Sequence, residues 1–346
     1  MKAKESNKIV SYSWDVCGHE KIRQFLLSAL TSDRLSQAYL LVGKNGLGKY
    51  KIAKELAKTL LCQDTLVKPC QKCFACEAIE KESHPDLFLV QRLADEKTGK
   101  LKKDISIEQI RELKARLQQG SLLNSYKIAI IPEAQWLNLN GANSLLKVLE
   151  EPTPKTVIIL ITDDLRRMPA TIASRCQVLR FLPVPRETIE EYLLLKGSSV
   201  ERAKKISRLS FNRPGRALEL AGDYERLQSY DERVNLFWQI ISADIGQRFS
   251  LSEEAITWGK DDGQNISRIS QLFDDWQALL RDIFLIKNDN EIFLANIENL
   301  EQLADAGSKI NFFRLRQALQ AIHQAKTYLA QNVNPKLILE NLIINL

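Results

Sequence analysis

Two short stretches of this chain carry residues that can do chemistry. The first is Gly43-Lys44-Asn45-Gly46-Leu47-Gly48-Lys49-Tyr50. Glycines at 43, 46 and 48 let the backbone turn its N–H groups onto phosphate oxygens, and Lys49 neutralises their charge. The spacing is that of a phosphate-binding loop with one departure. The pattern ends in Ser or Thr, whose hydroxyl holds Mg²⁺, and here the residue is Tyr50. The second stretch holds Cys62, Cys70, Cys73 and Cys76, four of the chain's six cysteines. Such crowding suits a metal site rather than a disulfide framework in a chain of this size. Three sulfurs share one tight loop, and Cys62 closes a tetrahedral four-sulfur set that fits a structural Zn²⁺. The plainer reading is reduced thiols on a surface loop, where exposed free cysteines are a liability. His84 is a reserve ligand; Cys17 and Cys176 read as small core residues.

A phosphate loop that hydrolyses also needs carboxylates at the end of a neighbouring strand, the first of which holds Mg²⁺ through water. The candidate strand ends Ile130-Ile131-Pro132-Glu133. Proline stands in place of the first carboxylate, and Glu133 remains as the base. Two independent metal contacts are therefore missing. Phosphate binding survives on these residues and Mg²⁺-assisted hydrolysis does not; a tight glycine turn without ligand is the bland reading. Arg175, in Ser174-Arg175-Cys176, is either a solvated surface arginine or a charge that stabilises phosphoryl transfer on a neighbouring subunit. Arg213-Pro214-Gly215-Arg216 reads as a capped turn opening a helix.

These residues need a scaffold, and its pattern is legible. Ala38–Val42 is an apolar run that reads as a buried strand, and Ile52, Leu56 and Leu60 mark one face of the helix that follows the glycine loop. Strands are expected at 86–90, 127–131, 156–162 and 177–182. Helices are expected at 14–36, 105–119 and 141–150, the last stopped by Pro152 and Pro154. Residues 91–104 read as an exposed polar loop. Strands alternating with helices imply a parallel sheet covered on both faces. After Pro183 strand signals disappear. Short helices run from 187 to 221, broken at 197–199 and 212–215. From Tyr224 to the end the pattern is all helix, with breaks near Gly246, Gly259, 288–290 and 332–335, and with Trp238, Trp258 and Trp276 inside it. Leu337–Leu346 is apolar nearly all round and is expected to be buried.

The totals fit this picture. A length of 346 residues suggests two or three domains. The net charge of +6 permits contact with nucleic acid, but no dense basic run demands it. The Met1–Ser6 start leads into no apolar segment, and no stretch approaches the roughly 18 apolar residues of a membrane span. A soluble cytoplasmic protein without a signal peptide is expected.

Taken together, Gly43–Lys49, the four cysteines, Glu133-Ala134, Ala142 to Pro152, Ser174-Arg175-Cys176 and Pro214-Gly215-Arg216-Ala217 resemble bacterial clamp-loader subunits of the AAA+ class, components of DNA polymerase III. The stretch Ala142 to Pro152 is the most specific part, and the C-terminal third is the weakest. The resemblance implies an α/β AAA+ P-loop domain with a parallel sheet and zinc module (1–183), a small helical lid domain (184–223) and an all-α collar domain (224–346). Through the collar five subunits form a ring with gamma/tau and delta partners. The ring opens a sliding clamp and places it on primed DNA, without a membrane. By the same resemblance, Arg175 is an arginine finger in trans. Gly43, Gly46, Gly48, Lys49, the sensor-region Thr162 and the lid Arg216 are nucleotide-binding positions, and Cys62, Cys70, Cys73 and Cys76 hold zinc. Tyr50 and Pro132 depart from the motor pattern. They favour a non-hydrolysing subunit, with Thr162 and Arg216 as relics, over a gamma/tau-type ATPase, which Lys49 and Glu133 would serve. A zinc-stabilised DNA-binding protein is a third reading; it lacks an aromatic-and-basic stripe.

Overall fold

The computed structural model describes residues 10–95, 101–121, 125–222, 224–257, 265–331 and 333–346. Met1–Ser6, part of the expected 91–104 loop, Trp258, Gly259 and residue 332 lie outside them. The α/β part runs β1 (Ser11–Tyr12), α1 (Glu20–Thr31), β2 (Ala38–Val42), α2 (Lys49–Leu61), β3 (Val67–Lys68), α3 (Phe74–Glu80), β4 (Leu87–Leu89), α4 (Ile107–Gln118), β5 (Lys127–Ile131), α5 (Leu139–Glu150), β6 (Thr156–Thr162), α6 (Ala170–Ala173) and β7 (Gln177–Arg180). Helices follow: α7 (Arg186–Leu195), α8 (Val200–Leu209), α9 (Pro214–Gly222), α10 (Tyr224–Ser242), α11 (Ile245–Thr257), α12 (Asn265–Ile286), α13 (Leu300–Lys309), α14 (Phe312–Ala330) and α15 (Pro335–Ile344).

Five strands form a parallel sheet in the order β4-β5-β6-β2-β7. The inner strands β2, β5 and β6 are buried along their whole length, as continuous apolar runs demand when helices cover both faces. Alternation sorts their side chains. Tyr39, Leu41, Ile128, Ile130, Ile159 and Ile161 meet Leu26 of α1 and Ile52 and Leu56 of α2. Leu40, Ala129, Ile131, Ile158 and Leu160 meet Ile110 and Leu113 of α4 and Leu145 and Val148 of α5. Each Leu, Ile or Val among them contributes about 1.5–3 kcal/mol on burial. Two of these helices, α4 and α5, start where polar side chains cap them. Asn138 accepts the Gly141 N–H at 2.7 Å before α5, and Ser106 and Gln109 form a capping box before α4.

Local chemistry corrects three expectations. The helix expected from 14 begins only at Glu20, because Gly18 and His19 both have left-handed backbone, φ +71° and +58°, which no right-handed helix passes through. Trp14 lies ahead of it, donating to Thr59 Oγ1 at 2.9 Å. β1 and β3, unforeseen in the sequence, pair in parallel beside the sheet. In α15, Ile338, Leu339, Leu342 and Ile343 are buried, but Leu337 and Ile344 are 59% and 57% exposed. Apolar residues all round a helix do not guarantee that every side finds a partner.

The chain divides into two compact units: Met1–Tyr192 with Asn212–Arg216, and Leu193–Phe211 with Ala217–Leu346. Among the described residues, the secondary structure of the second is all helical. Its centre is α12, where Phe273, Trp276, Leu279 and Ile283 are fully buried. Trp276 Nε1 donates to the Arg233 carbonyl at 3.0 Å, and Arg233 pairs with buried Asp275 at 2.7 Å. Among the described residues, no helix is long and apolar enough to cross a membrane.

Candidate functional site

The glycine loop leaves the carboxyl end of β2 and enters α2 at Lys49. Its backbone is tied on every side. Gly43 N–H donates to Thr162 O at the end of β6, 3.1 Å. The Leu47 carbonyl meets His19 Nε2 at 2.7 Å. Lys49 Nζ donates to the carbonyls of Gly43 and Lys44, the latter at 2.8 Å. Lys49 is only 5% exposed. Burial lowers its pKa to about 8, against the opposing pull of Asp163. The turn expected at 213–216 lies on this loop: Gly215 N–H donates to Gly46 O at 2.7 Å. The contact is backbone on backbone. A Cβ on Gly215 would stand 2.9 Å from Gly46 O, and one on Gly46, at φ +81°, would meet Arg213 Cβ at 3.5 Å. Arg216 thus begins beside the loop, its N 3.6 Å from such a Cβ.

The missing metal contacts have structural occupants. The Tyr50 hydroxyl donates to Glu82 Oε1 at 2.7 Å. Burial, reinforced by Glu82 and Glu80, pushes its pKa up. After β5, Pro132 offers no carboxylate, and Glu133 Oε2 accepts from Arg92 at 3.0 Å. Arg92 and Arg167 lie over the Trp136 ring, each 4.8 Å from its centre. Arg167 also pairs with Asp163 at 3.1 Å. Thr162 is buried, and its hydroxyl donates to Asp164 O at 3.1 Å.

At the other end of α2, the sulfurs of Cys62, Cys70, Cys73 and Cys76 all lie within 4.8 Å of one another. Cys62 caps α2, and Cys73 precedes α3. Cys62 and Cys73 are 3.9 Å apart. Tetrahedral zinc with bonds near 2.3 Å needs sulfurs about 3.8 Å apart, so the cluster fits such an ion with small adjustment. Cys70 N–H points at Cys62 Sγ, 3.4 Å, the kind of outer hydrogen bond that steadies a thiolate ligand. Against the upward push of burial, N–H groups of Gln63 and Cys76 bring the Cys73 thiol down. His84 is not part of the set; its Nδ1 accepts the Asp86 N–H at 3.1 Å. Cys17 is buried, as expected, and burial raises its pKa to about 11; Cys176 is only half-buried, with its pKa raised to about 12.

A charged network joins this module to α2. Lys58 pairs with Glu80 at 2.6 Å, Lys54 donates to Glu80 O at 2.9 Å, and Gln71 donates to fully buried Glu55 at 3.0 Å. Sequence spacing gave no signal of these partners.

Arg175 lies elsewhere. It precedes β7, whose Gln177 pairs with Tyr39 at the amino end of β2. The glycine loop leaves the opposite end, about 13 Å of strand away at 3.3 Å per residue. Arg175 is 38% exposed; Nη2 contacts Glu150 Oε1 at 2.7 Å and Nη1 donates to Thr171 O at 3.0 Å.

A parallel sheet with a glycine-and-lysine loop after an inner strand, followed by a large helical part, is the architecture of a P-loop-type α/β protein. A family model described as "DNA polymerase III, delta subunit" matches residues 18–185. DNA polymerase III subunit delta' of Bacillus subtilis (strain 168) is 30% identical over 328 residues, 94% of this chain and 95% of that protein. The delta' subunit of Pseudomonas aeruginosa is 29% identical over 317 residues, covering 89% and 91%. The tau subunit of Bacillus subtilis is 33% identical over 248 residues, covering 71% of this chain and 38% of that protein. The chain belongs to the delta' family of DNA polymerase III subunits.

Proposed function

We propose that this chain is a non-hydrolysing delta'-type subunit of a replicative clamp loader, and that it lends Arg175 to the ATP site of a neighbouring subunit. The observation that carries this is the separation of loop and arginine. Arg175 is exposed at the amino edge of the sheet, and the glycine loop lies at the carboxyl edge. An arginine so placed serves phosphate brought by another chain, not its own. The metal half of the local site argues the same way. Tyr50 is bonded to Glu82, Pro132 carries no charge, and Glu133 is bonded to Arg92. Gly43, Gly46, Gly48, Lys49, Thr162 and Arg216 are then the frame of a nucleotide site kept as scaffold. In this reading residues 1–183, 184–223 and 224–346 act as P-loop domain, lid and collar. The partners are gamma/tau and delta subunits in a five-membered ring acting on a sliding clamp and primed DNA. Cys62, Cys70, Cys73 and Cys76 would hold Zn²⁺, which bound there supplies rigidity and no open coordination position.

The test is Arg175→Ala in the reconstituted loader, followed by single-turnover phosphate release. The expected result is loss of the kinetic phase belonging to the adjoining site, since a trans arginine is worth about 10³–10⁵ in rate at the site it serves. Unchanged turnover and clamp loading would sink the proposal. The identity to tau subunits supports a second reading, a gamma/tau-type ATPase. It requires Lys49-dependent ATP hydrolysis by the purified chain alone.

A further inference from the structure

Arg175 does not hang free. One arm of its guanidinium meets Glu150 Oε1 at 2.7 Å, and the other donates to the Thr171 carbonyl at 3.0 Å. Glu150 is the last residue of α5, and Thr171 belongs to the single turn of α6. The two contacts come from separate elements and fix the plane of the group, because a guanidinium offers its N–H donors in a rigid fork. Both side chains remain substantially exposed, Arg175 at 38% and Glu150 at 46%, so the arginine stays within reach of an incoming anion.

We infer that Glu150 is a positioning residue for Arg175: it holds the guanidinium extended and oriented before a neighbour's phosphates arrive. This rests on the trans-arginine reading given above. Long arginine side chains lose rotamer freedom when fixed, and a carboxylate that orders the group beforehand removes part of that loss from the reaction step. Glu150 touches no phosphate in this scheme and acts only through Arg175. Its effect is confined to the rate at the adjoining site and leaves ATP affinity there unchanged.

The loader is reconstituted with wild-type chain, Arg175→Ala, Glu150→Ala, Glu150→Gln and the double variant Glu150→Ala/Arg175→Ala, and single-turnover phosphate release is followed over a range of ATP concentrations. Glu150→Ala should slow the phase that Arg175→Ala removes by roughly two- to fivefold, the scale of an exposed ion pair. The ATP concentration giving half the rate should not move. Glu150→Gln keeps an acceptor oxygen and should restore most of the rate. The double variant should match Arg175→Ala. A Glu150→Ala loader as fast as wild type, or faster, overturns the positioning role while leaving the arginine reading intact. If Arg175→Ala removes no phase, the arginine reading fails and the inference with it. Should Glu150→Ala not enter the ring, Glu150→Lys carries the same test, with the same slowing expected and an unchanged rate overturning the role.

Discussion

The two ends of α2 make different demands on their residues. At the amino end, a glycine-and-lysine loop lies beside Tyr50, which is bonded to Glu82, and Pro132 stands where a carboxylate was sought. At the carboxyl end, four sulfurs converge on one point. The first end has neither a Ser or Thr at 50 nor a carboxylate at 132; the second brings four metal-ligating sulfurs together. What distinguishes them is where the bonds go. The loop's carbonyls are occupied by Gly215, His19 and Lys49, all from the chain itself. The sulfurs face mainly each other. A loop satisfied internally stands without a ligand, whereas four clustered sulfurs are placed where they could hold a metal ion.

That contrast sets the order of expected effects. On the proposal that the four sulfurs hold zinc, removing it by chelation, or replacing Cys62 with Ser, should cost the most. A structural zinc holds its module by several kcal/mol, so a large fall in melting temperature is expected with loss of bound zinc measured by a colorimetric dye. An unchanged melting curve would mean the cysteine end stands as independently as the loop. Gly215→Ala comes next. Its methyl group must push against the Gly46 carbonyl, and overpacking of this kind costs about 1–3 kcal/mol; denaturant midpoints measure it, and a neutral result would break the claim that backbone contact closes the loop.

Tyr50→Phe removes the bond to Glu82 and should cost about 1 kcal/mol. Tyr50→Thr, which returns a compact hydroxyl, should still give no ATP hydrolysis by the purified chain, because Pro132 supplies no carboxylate. Measurable turnover would overturn the reading of Pro132.

The last effect concerns Lys49 and shows only as a trend with pH. Its folded pKa, about 8, lies below the ordinary 10.5. Below pH 8 the buried charge carries its full penalty. Between pH 8 and 10.5 the folded lysine loses its proton while the unfolded chain keeps one, so stability rises with pH. Wild type should therefore gain on Lys49→Met by up to roughly 3 kcal/mol across that window, read from urea midpoints at pH 7 and pH 10. A constant difference would place Lys49 in a wetter site.

Much of this was legible beforehand. The sheet was, because β2, β5 and β6 are unbroken apolar runs that only a two-sided core accepts. The cysteine site was, because ligand spacing on one loop is a local property. Tyr50 and Pro132 were visible as departures, since they occupy fixed offsets. What they do instead was not visible. Glu82 as the partner of Tyr50 depends on how α3 packs against α2, and Glu150 as the partner of Arg175 depends on two elements meeting across intervening strand β6. Such pairs leave no periodic trace. The early part of the expected 14–36 helix failed for a smaller reason: Gly18 and His19 take a left-handed turn that apolar spacing does not register.

The seam between Gly46 and Gly215 bears on how a chain of this kind can change over generations. Each glycine is held in place by the other, since a methyl group on either strains its backbone or presses on the facing one. A first substitution at either site is uphill even if no nucleotide ever enters. The glycine signature is in this sense self-preserving: it persists as a fit between two stretches of one chain, whether or not a nucleotide enters.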